Sequence, residues 1–368
     1  MRNTATVGQR IARGFSLIEM MIVIVIIAIV VALVVPALGA ARGVAKDADT
    51  RSLMNSLSQA ASQFSLDYQG RAPGYFSALA MANADNGDAG EGFSGMQNAL
   101  LDLAGGVLTK PVANATGPDE IVVGPSATAS KNVVVNTTLI GTATSGKAYF
   151  VPLAKYFKKQ DGADAAIRGI DVSGASTASV GNKALPELCD STGQPLLWWG
   201  TNPQAVGSVE VVSDFAEQVA GSGGNGSSTA RVYWNQNSVF CSAFATGGQY
   251  SNNLNNSLLS IDNANKLVTL TALLGNPNTP NDANLPTRAE VLPTAARGTA
   301  VIHAAGRDNI YLNGSKGRGG INAGGVTGGV FYGSNFFSDA STRRLDSDQK
   351  RSSVDVLADF DDMINAIE

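Results

Sequence analysis

Residues 20–38 carry no charge and, Pro36 and Met20–Met21 apart, are all aliphatic. Counted from Phe15, the run is long enough to cross the ~30 Å hydrocarbon core of a bilayer as a helix. Arg2, Arg10 and Arg13 precede it, and the first fourteen residues contain no acid. The positive-inside rule therefore keeps Met1 to Gly14 in the cytoplasm and sends Arg42 onward across the membrane. A single carboxylate, Glu19, adjoins the run. An ionised side chain in hydrocarbon is expensive and usually marks a function. A secretory signal has a shorter apolar core followed by small residues, and "ALGAA" (Ala37 to Ala41) supplies the latter, but this run is longer and carries Glu19. A plain uncleaved anchor accounts for the length but not for the carboxylate.

The stretch "RGFSLIE" (Arg13 to Glu19) resembles the processing site of type IV prepilins and of type II secretion pseudopilins. The resemblance implies cleavage by a prepilin peptidase between Gly14 and Phe15, with N-methylated Phe15 as the mature start. Glu19 is then the fifth mature residue, where that family has its glutamate, and Pro36 the twenty-second, where many members have a helix-loosening proline. The physical reading agrees with the resemblance. A carboxylate in lipid needs a cation, and the methylated amine of a neighbouring subunit's Phe15 retains its charge. Such a pair sets axial register, while apolar helices pack by area. Before assembly, Glu19 is expected to snorkel toward the interface.

Helical spacing continues past the lipid. Leu38, Ala41, Ala45 and Ala48, then Met54, Leu57, Ala61, Phe64 and Tyr68, recur every three or four residues. The pattern stops at "YQGRAPG", where Gly70 and Pro73 end helices. Residues 1–14 thus read as a leader, 15–38 as the membrane part of a spine helix, 39–70 as its amphipathic continuation, and 71–368 as an extracytoplasmic domain. Pro36 lacks an N–H, so a loosened turn is expected there in a filament. Within the domain, "SALAMANA" and "MQNALLDLA" read as helices. Strand-like runs are "NVVVNTTLI", "KAYFVPL", "SVEVVSDF", "ARVYW", "SVFCSAF", "KLVTLTALL" and "TAVIHAA", separated by Gly/Ser/Asn-rich loops. In "CDSTGQPLLWWG", which resembles a turn common in pseudopilin-like domains, Trp198 and Trp199 alternate faces if the segment is a strand. Val356, Leu357, Phe360, Met363, Ile364 and Ile367 fall on one helical face, which predicts a docked C-terminal helix at about 354–367 with Asp355, Asp359 and Asp362 turned to solvent.

The fold expected is pilin-like α+β, a long N-terminal transmembrane spine helix packed on a mostly antiparallel β domain. Charged residues make up only 15% of the chain and glycines number 41, which suits an exported, loop-rich domain. Removing the three leader arginines takes the formal net charge from −4 to −7, and an acidic chain does not advertise nucleic-acid binding. Cys189 and Cys241 are compatible with one disulfide in an exported domain. "GTATSGKA" nearly matches a phosphate-binding loop but has Ala148 where magnesium needs a hydroxyl, so it reads as a turn. "KYFKK" (Lys155 to Lys159) reads as the edge of an element rather than a nucleic-acid or lipid contact. His303 is the only histidine, which disfavours a zinc site or a histidine-based triad and reads as a strand residue near a loop. Enzymatic activity is not expected. "AAGRDNIY" faintly resembles the calcium loop of the major pseudopilins, with Arg307 and Asn309 departing from it, and makes Asp308 the calcium-ligand candidate.

The resemblance implies a structural subunit of a type II secretion pseudopilus, of the G-like sort, or else a type IV pilin or tip-located minor pilin. A membrane-anchored extracytoplasmic binding protein is the alternative from another class. Implied partners are the prepilin peptidase, further copies and other pilin-like subunits, an inner-membrane assembly platform, and the lipid bilayer. The implied location is the inner membrane, with the globular domain in the periplasm.

Overall fold

The computed structural model describes residues 16–82, 93–125, 132–142, 148–158, 182–218, 229–241, 257–260, 263–281, 289–314, 328–336 and 355–368. By its internal contacts the chain divides into Met1–Lys46 and Asp47–Glu368. Helix α1, Leu17–Asp67, belongs to both and holds Pro36 in its interior. Its 51 residues correspond to about 77 Å of helix. It ends as the glycine predicts: Gln69 and Gly70 turn to positive φ (57° and 86°), and the Gly70 N–H donates to the Ser65 carbonyl at 2.8 Å.

Among the described residues the further α-helices are α2 (Ala78–Met81), α3 (Gly95–Leu103), α4 (Val212–Phe215), α5 (Ser238–Cys241) and α6 (Lys266–Leu274). The strands among them are β1 (Val107–Leu108), β2 (Glu120–Val123), β3 (Val133–Asn136), β4 (Phe157–Lys158), β5 (Glu187–Leu188), β6 (Leu197–Gly200), β7 (Ala216–Glu217), β8 (Val232–Tyr233), β9 (Ala300–Ala304) and β10 (Met363–Ile367). Two antiparallel sheets have three strands each, in the orders β1-β3-β2 and β10-β9-β6; β4-β5 and the parallel β7-β8 are pairs.

The sheet β10-β9-β6 divides the domain. Its side chains alternate between two cores, as strand geometry requires. Trp198, Ala300, Ile302, Ala304, Met363 and Ile367 meet Leu57, Ala61 and Phe64 of α1 and Met96 and Leu100 of α3. Leu197, Trp199 and Val301 point the other way, into a core with Trp234, Phe240, Leu270 and Leu273. The two tryptophans therefore alternate as read from the sequence. Gly95 allows α3 to sit directly on β6, because a Cβ there would lie 2.1 Å from the Trp198 carbonyl oxygen.

Several segments differ from the sequence reading. The C-terminal helix expected at about 354–367 is a 3₁₀ turn, Val356–Asp359, followed by strand β10. The three-and-four spacing arises because both faces of β10 are covered. Met363 and Ile367 enter the core beside α1, while Ile364 and Ala366 pack on the opposite one. Asp362 is buried rather than solvated, and Asp355 pairs with Arg297. "KLVTLTALL" is helix α6. A short apolar run carries no reliable period, and the Thr271 hydroxyl is satisfied inside the helix by the Leu267 carbonyl at 2.8 Å. "SVFC" is the single turn α5, and residues 148–153 form no strand.

Candidate functional site: the amino-terminal helix and its anchorage

Gly14 and Phe15 lie outside the described residues. Immediately after them, the Ser16 N–H donates to Glu19 Oε2 at 2.8 Å, and the Glu19 N–H approaches Ser16 Oγ at 3.4 Å. This is the reciprocal Ser-x-x-Glu arrangement of a capping box, which satisfies donors that an N-terminus leaves open. It holds the carboxylate at the start of α1, where the helix dipole favours negative charge. Beyond it every side chain from Leu17 to Val35 is exposed. The helix is long and apolar enough to cross a membrane, by length and composition. A surface apolar on all sides is stable only against lipid or other helices. Pro36 lies at the end of this stretch, and α1 continues through it.

From Thr50 the helix changes character. Thr50, Leu53, Met54, Leu57, Ala60, Ala61 and Phe64 are buried along one face. Polar contacts tie its first turns to the domain. Asp49 accepts from the Tyr156 hydroxyl at 2.5 Å and from Lys155 Nζ at 2.9 Å. These bonds, the Tyr156 one foremost, hold its carboxyl below the usual range. Asp47 accepts from Arg307 Nε at 2.7 Å. Lys155 is therefore committed to the spine, and Lys159 of the same basic run lies outside the described residues.

The other candidates are not gathered at one place. Asp308 Oδ1 accepts the Ile310 N–H at 2.9 Å and Oδ2 accepts Asn313 Nδ2 at 2.8 Å, so its carboxylate stabilises its own loop. Among the described residues, no three His, Cys, Asp or Glu side chains are grouped as metal ligands. Cys189 and Cys241 are buried in the same core, and no disulfide joins them in the structure. Burial pushes the Cys241 thiol up. Residues 143–147 of the near-P-loop lie outside the described residues.

Sequence reasoning missed two buried polar devices. His303 sits on β9, fully buried, with Nε2 2.6 Å from Asp362 Oδ2, and Asp362 also accepts the Leu312 N–H at 2.9 Å. Burial pushes the Asp362 carboxyl up, opposed by its bond to His303. The pair joins β9 to the start of β10. The second device is Glu187 on β5. The Ser94 hydroxyl, which caps α3, donates to its two oxygens at 2.9 and 3.0 Å. Burial pushes the Glu187 carboxyl well up despite that bond. The signal for the cap was present as Ser94-x-x-Gln97, a capping box; nothing in the sequence pointed from it to Glu187.

A family profile of the prokaryotic N-terminal methylation motif matches residues 9–35. The match covers Gly14, Phe15 and Glu19 and stops one residue before Pro36. With the long apolar helix, this fits a type IV pilin-like protein. No curated protein and no solved structure matches the chain. The pilin-like reading thus rests on the amino-terminal motif and on the architecture, an apolar N-terminal helix leading into an α+β domain with antiparallel sheets. The motif implies prepilin-peptidase processing and assembly with other pilin-like subunits.

Proposed function

We propose that the chain is a structural, non-enzymatic subunit of a type II secretion pseudopilus. Processing after Gly14 leaves methylated Phe15 as the new terminus in the membrane. Glu19 of one subunit then pairs with the Phe15 amine of its neighbour as the helices stack, and the domain stays on the periplasmic side. The observation that carries this reading is the methylation motif over 9–35 laid on an apolar stretch, residues 15–41, whose one charged side chain is Glu19. A plain anchor gains nothing from that carboxylate. The low charge and the glycine content suit an exported domain. Mass spectrometry of the mature protein tests the reading: a chain beginning at N-methyl-Phe15 is expected. A terminus near Ala40 would establish a secretory signal instead. Pseudopilus and pilus separate by genetic context of the effect: loss of the gene is expected to block secretion of enzymes rather than twitching or adhesion.

A further inference from the structure

A cleft of about 360 Å³ opens where the loop following α1 meets the start of α3 and the end of β6. That volume lies in the range of small-molecule sites. Trp198 lines it and is 2% exposed. Its indole N–H has no acceptor among the described residues, whereas Trp234 Nε1 donates to the Leu259 carbonyl at 3.2 Å. The absence of a side chain on Gly200, which also lines the cleft, leaves the Trp198 N–H open: a Cβ there would stand 3.6 Å from Nε1. We propose that this cleft binds a neutral saccharide of one or two rings, with a ring or hydroxyl oxygen accepting from Trp198 Nε1.

The lining selects the ligand class. Its cation, Arg71, is already committed: Nη1 lies 3.0 Å from Asp102 Oδ2 and 3.1 Å from the Gly74 carbonyl oxygen, and the guanidinium stands over the Phe64 and Tyr68 rings. No charge is left to neutralise an ionic ligand. Three of the amides are committed as well, Asn98 to the Phe76 backbone, Gln236 to the Gly200 backbone, and Asn202 to the Ala230 carbonyl and the Gln204 N–H. What remains are neutral hydrogen-bonding groups beside aromatic faces: the Trp198 N–H, the Gln204 amide, the Tyr75 hydroxyl, and the rings of Tyr75 and Phe76. A purely aliphatic ligand would cover the Trp198 N–H without giving it an acceptor, at the cost of an unmade hydrogen bond. A sugar offers oxygens for the donors and an apolar C–H face for the rings. The cleft is independent of Glu19 and Phe15, so the inference stands or falls apart from assembly.

The test uses the full chain in a detergent without sugar headgroups. Disaccharides of glucose, galactose and N-acetylglucosamine are titrated while the indole N–H signals of the three tryptophans are followed by nitrogen-15 NMR. One indole signal, assigned through Trp198→Phe, is expected to move saturably with at least one sugar. Gly200→Ala is the decisive variant. Its methyl group would meet only ordinary van der Waals contacts, the nearest at 3.6 Å, so the fold is kept while the N–H is covered. Affinity is expected to fall about tenfold, the worth of one hydrogen bond, with the unfolding midpoint unchanged. Gln204→Ala, at an exposed position, is expected to weaken binding in the same direction. No movement of the Trp198 signal with any sugar at tens of millimolar overturns the proposal. Equal affinity of the Gly200→Ala protein overturns it too. A response to a neutral tripeptide amide but to no sugar overturns the saccharide assignment in favour of a peptide.

Discussion

Two carboxylates of this chain stand in apolar surroundings, each beside a serine at the start of a helix, and they resolve the same difficulty in opposite ways. Glu187 is sealed between β5 and α3 and is met by the Ser94 hydroxyl, and no cation is paired with it among the described residues. Its remaining course is to keep its proton, as its raised pKa indicates. Glu19 lies on the exposed surface of α1, held among the described residues by Ser16. That contact leaves its outer side open to a cation from another molecule. Burial removes a choice that exposure retains: a core carboxyl is neutralised where it stands, and a surface one in an apolar helix can be neutralised by a partner.

Replacement by glutamine separates the two, because it keeps the shape and cannot ionise. Glu19→Gln is expected to have the largest effect. Leaving the Phe15 amine unpaired in hydrocarbon costs about 3 kcal/mol, roughly a hundredfold in incorporation. Quantitative blotting of sheared filaments measures it, and membrane insertion should be kept. Undiminished filaments would remove Glu19 from the register. Leu57→Ala and Ile26→Ala then compare the two halves of α1. Leu57 is fully buried and Ile26 is 55% exposed. The first should lower unfolding stability by about 3 kcal/mol, and the second should leave the domain unchanged, both read by denaturant titration of the detergent-solubilised chain. Equal losses would mean that the apolar run supports the domain.

Glu187→Gln is expected to act in the opposite sense and more weakly. The folded pKa lies above the ordinary 4.5, so the proton stabilises the fold below 4.5 and that contribution is lost as pH rises toward the folded value. The glutamine variant should match the parent at pH 4 and exceed it near pH 7 by about 1 kcal/mol. A variant less stable at pH 7 would show that Glu187 is ionised and paired.

The amino terminus was legible because its constraints are one-dimensional. Lipid thickness fixes the length of the run, and Arg13 to Glu19 is a local motif. The spine stripe from Met54 to Phe64 was legible for the same reason, since one helix face meets one core. β10 was not. Covered on both faces, it shows apolar residues at 363, 364 and 367, which imitates a helical stripe. Helix α6 failed in the reverse direction, its nearly continuous apolar run reading as a strand. Asp362 and Glu187 escaped because their partners, His303 and Ser94, lie 59 and 93 positions away, and composition alone turns an acid toward water.

The order in which the chain is made gives β10 a further consequence. It is synthesised after every other strand of its sheet, yet its inner face rests in the core that contains α1, among the first residues made. Asn365 and Asn55, side chains 3.5 Å apart, are separated by 310 positions; Arg307 and Asp47 by 260. Contacts of such separation close slowly. While the chain is still emerging, the sheet lacks its last strand and His303 lacks Asp362.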